Sequence, residues 1–179
     1  MEEVKQDLSK QEQNGELQNS ILSDLRKKRD SLGEQREPLQ LDIPGYDGEL
    51  VVEYKYVPFK EMRARSQAIM RQKASADRDI GAACDTLVLC CQAIYMRVQD
   101  RLVNIAATDP EIPTTYGDER LAEALGFTIN LQNKDHGPAR QGVLETFRNE
   151  YTIFDQAAKV TRWLQNTHST IDEEFLGEG

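Results

Sequence analysis

The sequence predicts an α+β fold that is mostly α-helical. Apolar and polar residues alternate on both sides of a turn at residues 44–48, which is typical of an antiparallel hairpin. In the chain around this segment, apolar residues recur at steps of three and four, which is typical of helices that bury one face. We therefore expect one β-hairpin packed against a helical body.

Length and hydropathy predict how the chain is divided. The 179 residues suffice for one domain with its own core. Hydrophobic residues make up 39% of the chain and the mean hydropathy is −0.65, which is low for a fully packed globule. We predict a charged leader over 1–36 that is helical or partly disordered, a globular domain over 37–167 and a flexible acidic tail over 168–179.

The acidic composition restricts the classes of function. The formal net charge is −9, whereas affinity for nucleic acid comes largely from Lys and Arg at phosphates. No uninterrupted apolar run is long enough to cross a bilayer. The first residues, MEEVKQDLSK, lack the basic-then-apolar layout of a signal peptide. We expect a cytoplasmic protein that binds neither nucleic acid nor a membrane.

The leader carries a narrow apolar stripe and one basic block. The block at 26–29, RKKR, is flanked by Asp24 and Asp30. We interpret it as a solvated helix face, with a nucleic-acid patch as the alternative that the acidic total disfavours.

The hairpin is predicted at about 39–57. Leu39 and Leu41 alternate with polar residues before the turn, and Val52 and Tyr54 do so after it. The turn contains Asp47-Gly48, which suits positive φ angles. A two-stranded hairpin is marginal in water, so we expect helices to cover its apolar face.

A helix is predicted from Pro58 to about Gln72. Its apolar side includes Met62 and Met70, and its other side carries Arg63, Arg65, Arg71 and Lys73. We interpret the basic side as a solvated surface and keep open that it docks an acidic partner segment.

A central buried helix is predicted at about 77–98. Asp77 is the predicted N-cap. Apolar residues then recur at steps of four and three: Ile80, Cys84, Leu87, Cys91, Ile94 and Val98. Because 82–96 is apolar nearly all round, the helix should be buried centrally or partly offered to a partner.

The second half of the sequence is predicted to form shorter helices and strands. Residues 102–105 fit either a continued helix or a short strand, and 114–116 allow a second small hairpin. Short helices are predicted at 119–125, with Asp118 as N-cap and Gly126 as the terminator, and at 139–147. A last helix is predicted at about 152–166.

Residues that carry catalysis or bind cofactors are not recognisable. His136 and His168 have no Cys, Ser or second His at motif spacing, and the turn at 44–48 fits no phosphate-binding loop. The three cysteines (Cys84, Cys90 and Cys91) lie in an apolar run and predict reduced, buried thiols rather than a metal site. We expect no enzyme, no cofactor and no metal.

The order of these segments resembles the tail assembly chaperones of long-tailed, siphovirus-type bacteriophages, especially those that infect actinobacteria. Four segments carry the resemblance: ILSDLRKKRDSL, LQLDIPGYDGELVVEYKYVP, TTYGDERLAEALGF and ARQGVLETFRNEYTIFDQAAKVTRWL, the last followed by an acidic end with FLGE. Together they cover most of residues 20–178. The doublet Cys90-Cys91 departs from the family pattern.

The resemblance implies a non-enzymatic role in virion assembly. Such chaperones bind the tape measure protein, keep it soluble in the host cytoplasm and help to recruit tail tube protein. A longer form made by ribosomal frameshifting often adds a C-terminal extension. We therefore expect a protein that is absent from the mature virion and that can form homo-oligomers.

The binding surface is predicted on the central helix and its neighbours. A chaperone of a long amphipathic helix needs an apolar groove, and flexible methionines suit a surface that accepts varied partners. The predicted partner-binding residues are Met62, Met70, Leu87, Cys91, Ile94 and Met96. Two alternatives stay open: these residues are ordinary core, or the protein is a structural virion component (an adaptor or minor tail protein) or a generic helical interaction module.

Overall fold

A computed structural model gives the fold. It describes the backbone of residues 20–28, 31, 36–71, 74–105, 112–133 and 136–177. Side chains are described for these residues except 59, 70 and 168–177. Residues 1–19 of the predicted leader lie outside this description, and residues 20–28 form an exposed helix, α1.

The described strands form one antiparallel sheet in the order β1-β2-β3-β4. The strands are β1 (Leu39–Asp42), β2 (Leu50–Tyr54), β3 (Cys91–Val98) and β4 (Arg101–Asn104). The predicted hairpin is confirmed as β1–β2, with Leu41 opposite Val52. Its turn has positive φ at Asp47 (50°) and Gly48 (79°), as predicted. The α+β, mostly helical fold class is thus confirmed. The sheet has two strands more than the predicted hairpin: of the two open assignments for 102–105 the strand is formed, whereas the second hairpin allowed at 114–116 is not.

The predicted central helix at 77–98 is too long. Helix α3 (Ala76–Cys90) ends at Cys90, and residues 91–98 form β3. A two-stranded hairpin leaves one edge of β2 without hydrogen-bond partners, and β3 fills that edge. Apolar residues at 94, 96 and 98 fit a period of two, but the helical spacing from Ile80 to Val98 hides it.

The start of α3 also differs from the prediction. The N-cap is Ser75, whose Oγ accepts a hydrogen bond from the backbone N of Arg78 at 3.1 Å. Asp77 instead lies in the first turn, where a carboxylate interacts favourably with the positive end of the helix dipole.

The remaining helices are α2 (Phe59–Met70), α4 (Glu119–Leu125), α5 (Pro138–Phe147) and α6 (Glu150–Gly177). Asp118 caps α4 and Gly126 ends it at a φ of 71°, both as predicted. Helix α6 continues through 168–177, the segment predicted to be a flexible tail, so the end predicted near Asn166 is too early.

The core lies between one face of the sheet and the packed helices α3, α5 and α6. Val52, Tyr54 and Ile94 supply the sheet side and are fully buried. A polar contact lies inside this core, since the hydroxyls of Tyr54 and Tyr116 are 2.9 Å apart. The core therefore joins the sheet to the segment before α4.

Candidate functional site

Three of the predicted partner-binding residues lie inside the core. Leu87 on α3 and Ile94 on β3 are fully buried, and Cys91 is 8% exposed. They are packed against the rest of the core, so they do not line a surface groove in this conformation. Their buried positions agree with the alternative interpretation, in which these residues are ordinary core.

The three predicted methionines lie in different places. Met62 is half-buried against the core from α2. Met70 is the last residue of the same helix, and its side chain is outside the described part of the structure. Met96 lies on β3 with 40% of its surface exposed. The structure therefore does not bring the six residues together, and Met96 is the one exposed to solvent among the five whose side chains are described.

Met96 belongs to an apolar surface on the β3–β4 hairpin. It lies opposite Leu50 on β2 and opposite Val103 on β4, and directly opposed residues of an antiparallel pair point to the same face. Val98 follows on that face two residues later. We call Met96, Val98 and Val103 the hairpin face.

The hairpin face continues the buried side of the sheet into solvent. Its register places it on the same face as Val52 and Ile94, which are both fully buried under the helices. Exposure then rises to 40% at Met96, 48% at Val98 and 43% at Val103. Single exposed apolar residues are ordinary, but three neighbours on one strand pair form a contiguous patch of the kind that binds partners.

Contacts on the other face of the sheet hold the hairpin in place. Arg97 points there, and its guanidinium donates to the carbonyl oxygen of Gly48 at 2.6 Å. It also pairs with the Asp42 carboxylate at 3.0 Å. The backbone N of Arg97 donates to the carbonyl of Glu49 at 2.7 Å. The β3–β4 hairpin is thereby fastened to the β1–β2 turn, so the hairpin face is presented on a fixed element.

Sequence reasoning missed two members of this surface. Val98 was assigned to the inward stripe of a helix, and Val103 to a segment with two open assignments. The signal that identifies Val98 is the period of two at Ile94, Met96 and Val98, whereas Val103 follows from its pairing with Met96. The turn that follows gives a weak signal, because Gln99 and Asp100 adopt positive φ (49° and 60°) without a glycine.

A polar cavity of about 620 Å³ lies beside α3, outside the sheet. Its wall carries cations (Arg78 and Arg140) and anions (Asp77 and Glu150), so neither sign of charge dominates. Arg140 is paired with Asp85 at 2.9 Å. This balance of charge does not select one class of ligand.

Nucleophilic side chains of the cavity are not activated. Burial raises the pKa of the Cys84 thiol to about 11, which keeps it protonated at neutral pH. Ser75 is engaged as the cap of α3. Cys90 and Cys91 are also free, buried thiols, as the sequence predicted, and burial raises the pKa of each to about 12.

The described residues contain no group of three or more His, Cys, Asp or Glu side chains placed to hold a metal ion. None of the helices they form combines the length and the apolar character needed to cross a bilayer.

Comparison with known proteins identifies no relative: the chain matches no family model, no curated protein and no solved structure.

Proposed function

We propose that this protein is a non-enzymatic tail assembly chaperone of a long-tailed bacteriophage. It binds the tape measure protein in the host cytoplasm, keeps it soluble and promotes assembly of the tail tube. The observation that carries the proposal is the hairpin face, an exposed apolar surface continuous with the core. The order of segments along the chain, which resembles that family, supplies the identity of the partner.

The hairpin face suits a helical client. An amphipathic helix can lay its apolar side on an exposed apolar surface of this kind. Met96 lies on β3 between two neighbouring strands, opposite Leu50 on β2 and opposite Val103 on β4. Its flexible thioether adapts to side chains of different shape, which suits a client with many helical turns.

The surrounding charge supports the same role. The chain has a net charge of −9, which keeps a carrier soluble while an apolar client is bound. Arg101 lies opposite Val98 on the hairpin face and gives the surface one cationic border. A client helix with a carboxylate beside its apolar stripe fits that border.

Co-expression with the tape measure protein tests the proposal. The test variant replaces Met96 by Lys and Val103 by Glu. These residues are directly opposed, so the new charges attract each other and preserve strand pairing while the apolar surface is lost. We expect the wild-type chain to keep the tape measure protein in the soluble fraction and to co-purify with it, and the variant to do neither.

A matched control carries the same new charges elsewhere. Leu131→Lys with Tyr151→Glu replaces two apolar side chains that are 70% and 77% exposed. This control should retain the client, and circular dichroism should show that both variants are folded. Failure of the wild-type chain to bind the tape measure protein would refute the function, whereas equal binding by both variants would refute the assignment of the surface.

A second candidate function follows from the strand order. β1 and β4 are the terminal strands of the sheet, so their outer edges have no strand partner among the described residues. Such edges can pair between subunits, as in a ring-forming adaptor or minor tail protein. Mass spectrometry of purified virions separates the two candidates, because abundant copies in mature particles support the structural component and contradict the chaperone.

A further inference from the structure

Helix α2 has one side attached to the body and one side in solvent. Met62 packs against the core, and Ile69, two turns later on the same side of the helix, is also half-buried. All other residues between 60 and 68 are exposed. A helix held in this way presents its outer side as a continuous surface.

That outer side is basic. At 100° per residue, Lys60 and Arg71 lie within about 20° of each other on the side opposite Met62 and Ile69. Arg63 lies about 60° from Lys60 on the same outer half of the helix. Arg71 follows the last residue of α2 with helical angles (φ −76°, ψ −15°), so the outer side of the helix continues through it. We call these three residues the basic stripe.

The basic stripe is not neutralised within the described part of the chain. All three side chains are exposed, and none forms an ion pair with a described residue. Glu61 is the one acid of residues 59–71 and lies about 80° or more around the helix from each of the three cations. A protein of net charge −9 thus carries a local cationic surface that its own described residues do not cover.

The end of α6 has the complementary property. Asp172, Glu173 and Glu174 lie within the helix near its end at Gly177. No Lys or Arg follows Arg162, and the last turn contains no basic residue. Carboxylates at the C-terminus of a helix are repelled by the negative end of its dipole, and a cationic partner relieves this repulsion.

We propose that the basic stripe of one copy docks the acidic end of α6 of a second copy, so that the protein self-associates through charge. The continuous helix of 28 residues is about 42 Å long, which lets its end reach a neighbouring molecule. Opposite charge on two distinct patches gives a heterologous contact, in which each copy offers one patch and receives the other. The proposal is independent of the tape measure client and of the hairpin face.

Two charge-reversed variants test this contact. Variant A carries Arg63→Glu and Arg71→Glu, and variant B carries Glu173→Lys and Glu174→Lys. We expect sedimentation velocity to show self-association of the wild-type chain at low salt, weakened roughly tenfold or more at 0.5 M NaCl because exposed charges are screened. Variants A and B should each be monomeric when alone.

Mixing the variants provides the decisive measurement. Variant B keeps the wild-type basic stripe and variant A keeps the wild-type acidic end. The acidic α2 of variant A also complements the basic α6 end of variant B, so the mixture should associate although neither variant does. The control carries Arg26→Glu and Arg162→Glu, which changes the net charge as much as variant A at two exposed positions outside the stripe. It should associate like the wild-type chain.

Several results would overturn the proposal. If the wild-type chain is monomeric at low salt, the two patches do not join copies. The proposal is overturned in the same way if the acidic end instead binds the stripe of its own molecule. Association of variant A at wild-type strength shows that another surface is used. Absence of association in the mixture of A and B contradicts the pairing of these two patches, whether or not each variant is monomeric.

Discussion

The hydroxyl of Tyr54 on β2 lies 2.9 Å from that of Tyr116, which precedes α4, and both side chains are almost completely buried. Gln156 of α6 donates from Nε2 to the same Tyr54 oxygen at 3.4 Å. One oxygen in the core therefore connects the sheet, the segment before α4 and the last helix.

Removing the Tyr54 hydroxyl should destabilise the fold more than removing that of Tyr116. Tyr54→Phe leaves both the Tyr116 hydroxyl and the Gln156 amide without this partner, whereas Tyr116→Phe leaves Tyr54 with Gln156. We expect losses of about 2–3 and about 1–2 kcal/mol in the free energy of unfolding. Urea denaturation followed by circular dichroism measures both.

Tyr151→Phe is the matched control, because this tyrosine is 77% exposed and should change the free energy of unfolding by less than about 0.5 kcal/mol. In the double variant at 54 and 116, the two losses should be less than additive. Equal losses in the two single variants would contradict the shared-oxygen arrangement.

Gly142 is required by the close approach of α5 to the chain at Tyr116. A Cβ at position 142 would lie 1.6 Å from the Tyr116 carbonyl oxygen and 2.5 Å from its carbonyl carbon. Because both atoms belong to the backbone, Gly142→Ala must displace α5 or the segment before α4. We expect a loss of at least about 3 kcal/mol, or failure to fold.

Gly137→Ala is the comparison, since a Cβ there meets no atom within 4 Å and the φ of −63° suits any residue. Because Gly137 is the N-cap of α5, where alanine is less favourable than glycine, the loss should be at most about 1 kcal/mol. If the two alanine variants melt together, the close contact at Tyr116 is not maintained in solution.

The buried thiols make the fold sensitive to alkaline pH. Burial raises the pKa of Cys90 and of Cys91 from the model-compound value of 9.0 to about 12. Above pH 9 the unfolded chain loses these protons while the folded chain keeps them, so stability present below pH 9 declines as the pH rises toward 12. Each thiol contributes at most about 1.4 kcal/mol per pH unit to this decline.

Urea denaturation at pH 8, 9, 10 and 11 measures the decline. Cys90→Ala removes one of the titrating groups, so its free energy of unfolding should fall less steeply between pH 9 and 11 than that of the wild type. An unchanged slope in this variant would show that other groups, such as the buried tyrosines, account for the pH dependence.

The fold class and most helices followed from local chemistry. The hairpin turn was predictable because Asp47-Gly48 is a strong signal for positive φ, and α4 because Asp118 and Gly126 mark its two ends. The end of α3 was not predictable in this way. No Gly or Pro marks the boundary between α3 and β3 at Cys90 and Cys91. The change from helix to strand is decided by the pairing of β3 with β2, which is a long-range contact.

The candidate surface was predictable at Met96 alone. Helical spacing predicted Leu87, Cys91 and Ile94, and the flexible thioether predicted Met96. The sheet register places Cys91 and Ile94 under the helices and Met96 beyond them. Exposure along β3 depends on how far the helices extend over the sheet, and the amino-acid pattern of one strand does not contain that information.

The turn between β3 and β4 offers a gain in stability that tests this sheet. Gln99 and Asp100 both adopt positive φ, which costs free energy in residues other than Gly and Asn. Replacing them by Asn and Gly gives the sequence preferred in two-residue hairpin turns. We expect an increase of about 0.5–1 kcal/mol in the free energy of unfolding, measured by urea denaturation. Gln40→Gly, at an exposed and regularly paired position inside β1, should instead lower it, because glycine weakens a strand. If residues 91–98 continued α3 as a helix, there would be no turn at 99–100 to improve, and the Asn-Gly variant would be destabilised.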